Sequence, residues 1–316
     1  MDLRIIFAPR LIIFLLVSIC CLACSKEEAP LTPLSPSGTR YLDLVFTEIT
    51  ESKEIKYGSN TDQAGNNIDL WMNIYAPAND PETNRPLILL AHGGGFATGS
   101  KEDFDALAKK FAQSGYVAAT ISYRLLAGND PDLGIALIDA LHDMKAAVRY
   151  FTIDNKFNIN PNNIFIGGFS AGAVTALHYA YVDEMDLSSA PAKLQEHANN
   201  NNGLTGNSGN EGASEQIKGV LNIAGGIFTV NWIGPNEPIL YSIHGTMDTD
   251  VYCTKDPEAQ NNPTGDFTEG SCLIHPLLDQ LGIKNQFRQI EGGDHGAYFT
   301  CMDCDEEMRK FVFDHL

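Results

Sequence analysis

The sequence predicts an α/β fold, with a mainly parallel central sheet and helices on both faces. Three observations predict it. From residue 41 onward, stretches of strand character alternate with stretches of helical period. The middle strands are near-continuous apolar runs, as strands buried on both faces require. The chain has 316 residues, 44% of them hydrophobic, which is enough for one large core.

The elements follow in order. "LDLVFTEI" (42–49) and "DLWMNIYAP" (69–77) alternate apolar and polar residues, as early antiparallel strands do. "RPLILLAHGGG" (85–95) is a buried strand ending in glycines, and "KEDFDALAKKFAQSG" (101–115) has helical spacing with a glycine stop. "YVAATISYR" (116–124) is the next buried strand, followed by a long amphipathic helix over 132–155. "NNIFIGGF" (162–169) reads as a strand and "AGAVTALHYAYV" (171–182) as a helix. "IKGVLNIAGG" (217–226), "EPILYSIHG" (237–245) and "NQFRQIEGG" (285–293) are three more strands, and "DEEMRKFVFDHL" (305–316) closes the chain as a helix. Residues 185–215, with "HANNNNGLTGNSGNEG", are too polar and glycine-rich to pack a core. They read as a polar insertion, a disordered surface loop rather than a working lid.

The first 24 residues are of different composition. Arg4 and Arg10 precede the apolar run "LIIFLLVSICCLAC" (11–24), too short for a membrane span and patterned as a secretory signal. Its end, Leu22-Ala23-Cys24, resembles a bacterial lipobox, with cleavage before Cys24 and lipid on its sulfur; Cys21 stands where that pattern prefers leucine. The alternative is ordinary signal cleavage without lipid. The following "SKEEAP" resembles an acidic stretch that sends some bacterial lipoproteins to the cell surface. Residues 25–40, with Pro30, Pro33 and Pro36, read as an extended tether. The expected organisation is a lipoprotein signal peptide over 1–24, a tether over 25–40 and a catalytic domain over 41–316. The protein is expected to be exported, lipid-anchored to the bacterial envelope and exposed at the cell surface.

Charge excludes one class of partner. Against 21 Lys+Arg stand 40 Asp+Glu, a net charge of -19, whereas nucleic-acid binding needs a basic surface. Of seven cysteines, Cys20, Cys21 and Cys24 belong to the leader. Cys253, Cys272, Cys301 and Cys304 lie late in the chain, where export favours disulfides. Four cysteines allow three pairings; Cys253–Cys272 and a short Cys301–Cys304 ring are preferred over a zinc site, whose ligand spacing is not met.

The chemistry centres on "GFSAG" (168–172). Ser170 sits where a strand turns into a helix, and Gly168 and Gly172 let the two elements approach closely. The helix N-terminus favours negative charge developing there. A serine hydroxyl needs a base. His295, in the glycine-rich loop "EGGDHGAY" (291–298) after the last strand, is the candidate. The base needs an acid, and Asp248, just beyond "ILYSIHG", is preferred, with Asp250 its close rival. "HGGGFATGS" (92–100) follows a buried strand and exposes backbone N–H groups for an oxyanion; a phosphate loop is discounted because the G-K-[ST] ending is missing.

Together these residues resemble an α/β-hydrolase of the carboxylesterase/lipase superfamily, close to bacterial esterases with an HGGG motif. The resemblance covers roughly residues 55–316. It implies the α/β-hydrolase fold, a Ser170-Asp248-His295 triad, and the N–H groups of Gly94, Gly95 and Ala171 as the oxyanion hole. "SYRL" (122–125) resembles a packing and ion-pair element of hormone-sensitive-lipase-like relatives. Phe169 departs from the acidic residue common before the serine there, and "GFSAG" is nearer to feruloyl and acetyl esterase-like hydrolases.

The expected function is hydrolysis of carboxylic esters through an acyl-enzyme, on small molecules or on ester groups carried by polysaccharide, with no metal or organic cofactor. Two rivals stand beside it. A peptidase on the same fold usually carries an additional large domain, for which this length leaves no room. A non-catalytic binding protein would carry a broken triad, whereas every member is present here.

Overall fold

A computed structural model describes residues 38–257 and 268–316, which fall in one compact unit. The leader, Cys24 and nearly all of the tether lie outside the described residues. Among the described residues, no helix is long and apolar enough to cross a membrane.

The chain opens with a hairpin. Strand β1 (Ile49–Thr61) pairs antiparallel with β2 (Asn67–Pro77). Asp62 makes the turn, its side chain accepting from the amides of Ala64 and Asn66. The buried strand β3 (Arg85–Ala91) leads to α1 (Asp105–Ser114), which Gly115 ends in a left-handed conformation at φ +112°. Then come β4 (Val117–Ile121) and the long α2 (Leu133–Thr152), whose first turn is capped by Asp132 accepting from the Ile135 amide. Strand β5 (Ile159–Phe169) feeds α3 (Ala171–Tyr181), and α4 (Glu184–Leu187) and α5 (Ala192–Asn200) follow. The last part runs β6 (Gly219–Ile223), β7 (Gly226–Ile227), β8 (Ile239–Gly245), β9 (Glu269–Gly270), α6 (Ser271–Leu281), β10 (Asn285–Ile290) and α7 (Cys304–Asp314).

Eight described strands make one sheet in the order β1-β2-β4-β3-β5-β6-β8-β10. The β1–β2 and β2–β4 pairs are antiparallel and the rest parallel. Alternate strand residues feed opposite faces. Leu87, Leu89, Val117, Ala119, Ile164 and Ile166 join one core with α2, α3 and α6. Ile88, Leu90, Ala118 and Phe165 join the other, with α1 and α7. This is the mainly parallel, two-faced sheet that the strand–helix alternation implies, in the α/β-hydrolase arrangement that the resemblance implies. It puts β5 near the middle of the sheet and its C-terminal end at the reacting face.

Two expectations need correction. "LDLVFTEI" is not a strand; β1 begins only at its last residue, Ile49. The amide of Tyr41 donates to Ser114 O, and those of Val45 and Phe46 to Gln113 O, so the segment caps the end of α1. A short alternating run specifies one apolar side but not its partner, and here that partner is a helix end. The second correction concerns residues 185–215, which do pack. Leu187, Ala198 and Leu204 form a satellite cluster with Ile138 of α2. Their loop also supplies acceptors to the buried Arg149 guanidinium. Arg149 donates to the carbonyls of Thr205 (2.8 Å) and Gly209 (2.9 Å), and Ser208 Oγ donates to Asp143 Oδ1 at 2.6 Å. Polar residues order this segment because buried charges demand partners.

The cysteines pair as Cys253–Cys272 and Cys301–Cys304. Cys301, Asp303 and Cys304 lie close enough to hold a metal, but both sulfurs are committed to the disulfide.

Candidate active site

Ser170 stands between the last residue of β5 and the first of α3, with φ +52° and ψ −120°. This backbone is strained for a non-glycine residue. It persists because its surroundings determine it: the Ser170 amide donates to Ile223 O of β6 at 2.9 Å. The glycines on either side permit the turn. A Cβ on Gly168 would lie 2.3 Å from Ala91 O, and one on Gly172 2.4 Å from the same atom. The elbow and the end of β3 thus touch backbone to backbone.

His295 lies after β10. Its Nδ1 is 2.7 Å from Asp248 Oδ2. A carboxylate only accepts, so Nδ1 carries the proton and Nε2 keeps its lone pair. Asp248 is fully buried beyond β8. Burial alone would raise its pKa. Hydrogen bonds from His244, His295 and the Val251 amide overcome this and hold the carboxyl well below the usual range. Oδ1 accepts from the amides of Asp250 and Val251 at 2.9 and 3.0 Å, and Oδ2 faces both imidazoles. Asp250, the rival acid, has an exposed side chain and only its backbone amide meets Asp248.

Ser170, His295, Gly94, Gly95 and Ala171 line one cavity of about 530 Å³. Among the described residues, none accepts a hydrogen bond from the amides of Gly94, Gly95 or Ala171, and Ser170 Oγ has no partner. Catalytic hydrogen bonds of this kind often close only when substrate is bound. The HGGG turn is held elsewhere. Gly94 O accepts from the amides of Ala97 (3.0 Å) and Thr98 (3.1 Å), and Tyr123 donates to His92 O at 2.9 Å while stacking on the His92 ring. Tyr123 comes from "SYRL". The neighbouring Arg124 is buried and pairs with Asp143 Oδ1 (2.8 Å) and Asp139 Oδ1 (3.0 Å), an ion-pair element below the site.

Sequence reasoning missed the walls. Leu133 and Leu137 of α2, Val174 of α3 and Phe228 after β7 make the apolar side of the cavity, and no residue of 185–215 lines it. Phe169 packs on His295 (ring centroids 4.8 Å apart) and on the exposed Phe299 (5.0 Å). His178 positions Phe228: its Nε2 accepts the Phe228 amide at 3.3 Å and its Nδ1 donates to Val174 O at 2.8 Å. Helical spacing hints at Leu133, Leu137 and Val174, but they are indistinguishable from core by pattern.

Residues 72–227 match the BD-FAE family. That span includes the HGGG turn and Ser170 and stops before Asp248 and His295. The chain is 33% identical over 113 residues to Gut esterase 1 of Caenorhabditis elegans, which is 34% of this chain and 20% of that protein. It is 28% identical over 160 residues to Fumonisin B1 esterase of Sphingopyxis macrogoltabida, 47% of this chain and 29% of that protein. The chain therefore spans less than a third of the length of either relative. The esterase 2 structure of Thermogutta terrifontis with propionate bound superposes with a TM-score of 0.59 at 20% identity, covering 81% of this chain and 93% of that one. The chain thus shares the α/β-hydrolase fold with that structure and is similar, over part of its length, to BD-FAE and carboxylesterase-like esterases.

Proposed function

We propose that this chain is a serine hydrolase that cleaves carboxylic esters through an acyl-enzyme on Ser170. One observation carries the reading. A serine on a strained strand-to-helix turn shares a cavity with a histidine whose Nδ1 lies 2.7 Å from a buried carboxylate.

Ser170 Oγ attacks the acyl carbonyl and His295 Nε2 takes its proton. Asp248 keeps the proton on Nδ1 and stabilises the imidazolium. The amides of Gly94, Gly95 and Ala171 receive the oxyanion, each donor worth about 3 kcal/mol. His295 then protonates the leaving alcohol, and water, activated by the same imidazole, releases the acid. The apolar wall of Leu133, Leu137, Val174 and Phe228 suits a hydrocarbon acyl or alcohol group.

The test is hydrolysis of p-nitrophenyl esters from acetyl to long acyl, with Ser170→Ala beside the wild type. Activity that vanishes in the variant supports the nucleophile, and the chain-length profile measures the apolar wall. A wild type inert on every ester overturns the reading.

The envelope anchor belongs to the same proposal. Its support is the apolar leader ending in Leu22-Ala23-Cys24. Such an enzyme would meet esters on polysaccharide or small molecules outside the cell. Labelling with an alkyne fatty acid, lost in Cys24→Ala, is the expected result; unlabelled wild type refutes it.

A further inference from the structure

Resting on the esterase reading, we propose that His244 is a positioning residue that holds the acid Asp248 toward His295. His244 is buried at the end of β8, four residues before Asp248. Its Nε2 is 2.8 Å from Val251 O and 3.2 Å from Asp248 Oδ2. Both of these atoms only accept, so Nε2 carries a proton; its hydrogen bond runs to Val251 O, and Asp248 Oδ2 lies beside it. Its Nδ1 is 2.9 Å from Ser271 Oγ, on the first residue of α6. Ser271 Oγ accepts from Asn222 Nδ2 at 3.0 Å, which leaves its own O–H to donate to Nδ1. Asn222 is fixed in turn by Ser242 Oγ and the Gly225 amide. Donation runs one way, from Asn222 through Ser271 to His244, whose Nε2–H faces Val251 O and Asp248 Oδ2, and His295 donates to that same carboxylate oxygen.

The covalent frame reinforces this chain. The Cys253–Cys272 disulfide and the Cys272 amide on Cys253 O (2.7 Å) tie the segment carrying Val251 to the start of α6 carrying Ser271. Both outer partners of the His244 ring are stapled beside it. Unlike the buried His142 and His275, which each leave one ring nitrogen without a partner among the described residues, His244 has a partner on both nitrogens. The second donor on Oδ2 also draws charge from the carboxylate. Removing it strengthens the pull of Asp248 on the His295 proton. The titratable groups facing His244 are Asp248 on its own turn and His275 on α6; His295 is held by Asp248 and covered by Phe169.

The test compares His244→Leu with His244→Gln in the full chain. Gln extends an amide nitrogen toward the Nε2 position; Leu offers no donor. We expect His244→Leu to lower kcat by about tenfold or more, the worth of one hydrogen bond to a charged group, with KM within about twofold. Its acid limb of kcat/KM moves to higher pH, and the proton NMR signal of His295 Nδ1–H shifts. His244→Gln returns both toward wild type. A folded His244→Leu with limb and resonance unmoved overturns the proposal, as does equal displacement in both variants, which marks packing alone. Should His244→Leu not fold, Ser271→Ala keeps the imidazole but removes the O–H on Nδ1; an unmoved resonance there also overturns it. The NMR signal needs no turnover, so loss of the esterase reading is seen separately, as a wild type without ester hydrolysis.

Discussion

Asp248→Asn replaces one oxygen of the candidate acid by an NH₂ group, and the surrounding donors decide how the amide sits. Four N–H groups converge on the carboxylate. The amides of Asp250 and Val251 meet Oδ1, and His295 Nδ1 and His244 Nε2 meet Oδ2. The two backbone donors cannot change sign, so the asparagine oxygen takes the Oδ1 site and its NH₂ faces both imidazoles. His295 then presents a bare Nδ1 and carries its proton on Nε2, the wrong tautomer to accept from Ser170. His244 cannot follow as easily, because its Nε2–H also serves Val251 O at 2.8 Å. The expected loss is about 10⁴-fold in kcat, or about 5 kcal/mol of transition-state stabilisation, with KM little changed. Steady-state hydrolysis of p-nitrophenyl acetate measures it, with a thermal melt to confirm the fold. Asp250→Asn, altering only an exposed carboxylate, costs less than about tenfold. An Asp248→Asn enzyme within about tenfold of wild type, or a larger loss in Asp250→Asn, refutes the assignment of the acid.

Three further outcomes are expected. Gly172→Ala sets a Cβ 2.4 Å from Ala91 O and 2.6 Å from His92 O, so the elbow must move; a melt should show about 1–3 kcal/mol of destabilisation together with lost turnover, and an active variant of unchanged Tm contradicts the close approach. Replacing both Cys253 and Cys272 by serine releases a loop closed across 19 residues, and chemical denaturation should show a loss of about 3 kcal/mol. Burial lowers His178 and His275 to about 4 and His142 to about 3, against 6.5 when exposed. Folded, these rings stay neutral while the unfolded chain takes up protons, so stability is full above pH 6.5 and is lost as pH falls toward 4. Melts across that window should show a falling Tm, less steeply in His178→Gln; a flat profile refutes the neutral buried rings.

Much of the fold and site was legible because its signals are local. Apolar runs such as "RPLILLA" and "YVAATI" suit strands buried on both faces, and they are β3 and β4. "GFSAG" announces its turn through two glycines at positions where the structure leaves no room for a Cβ. The charged β1, "ITESKEIKYGSNT", was not legible, because its apolar residues are too few to show a face. It is a strand because β2 offers it an edge.

By itself, the sequence determined the α/β class with a mainly parallel sheet, the elbow at Ser170, the glycine turn after β3 and the order in which Asp248 and His295 follow. These depend on neighbours along the chain. Only the tertiary structure decided that Asp248 rather than Asp250 meets His295, that residues 185–215 pack around Arg149, that His244 lies against Asp248 and that Phe169 lies against His295. It also decided which apolar residues line the cavity. Each of those outcomes depends on groups far apart in sequence finding one another. A buried charge or an open donor takes the partner that the packing of the sheet and its helices brings within about 3 Å.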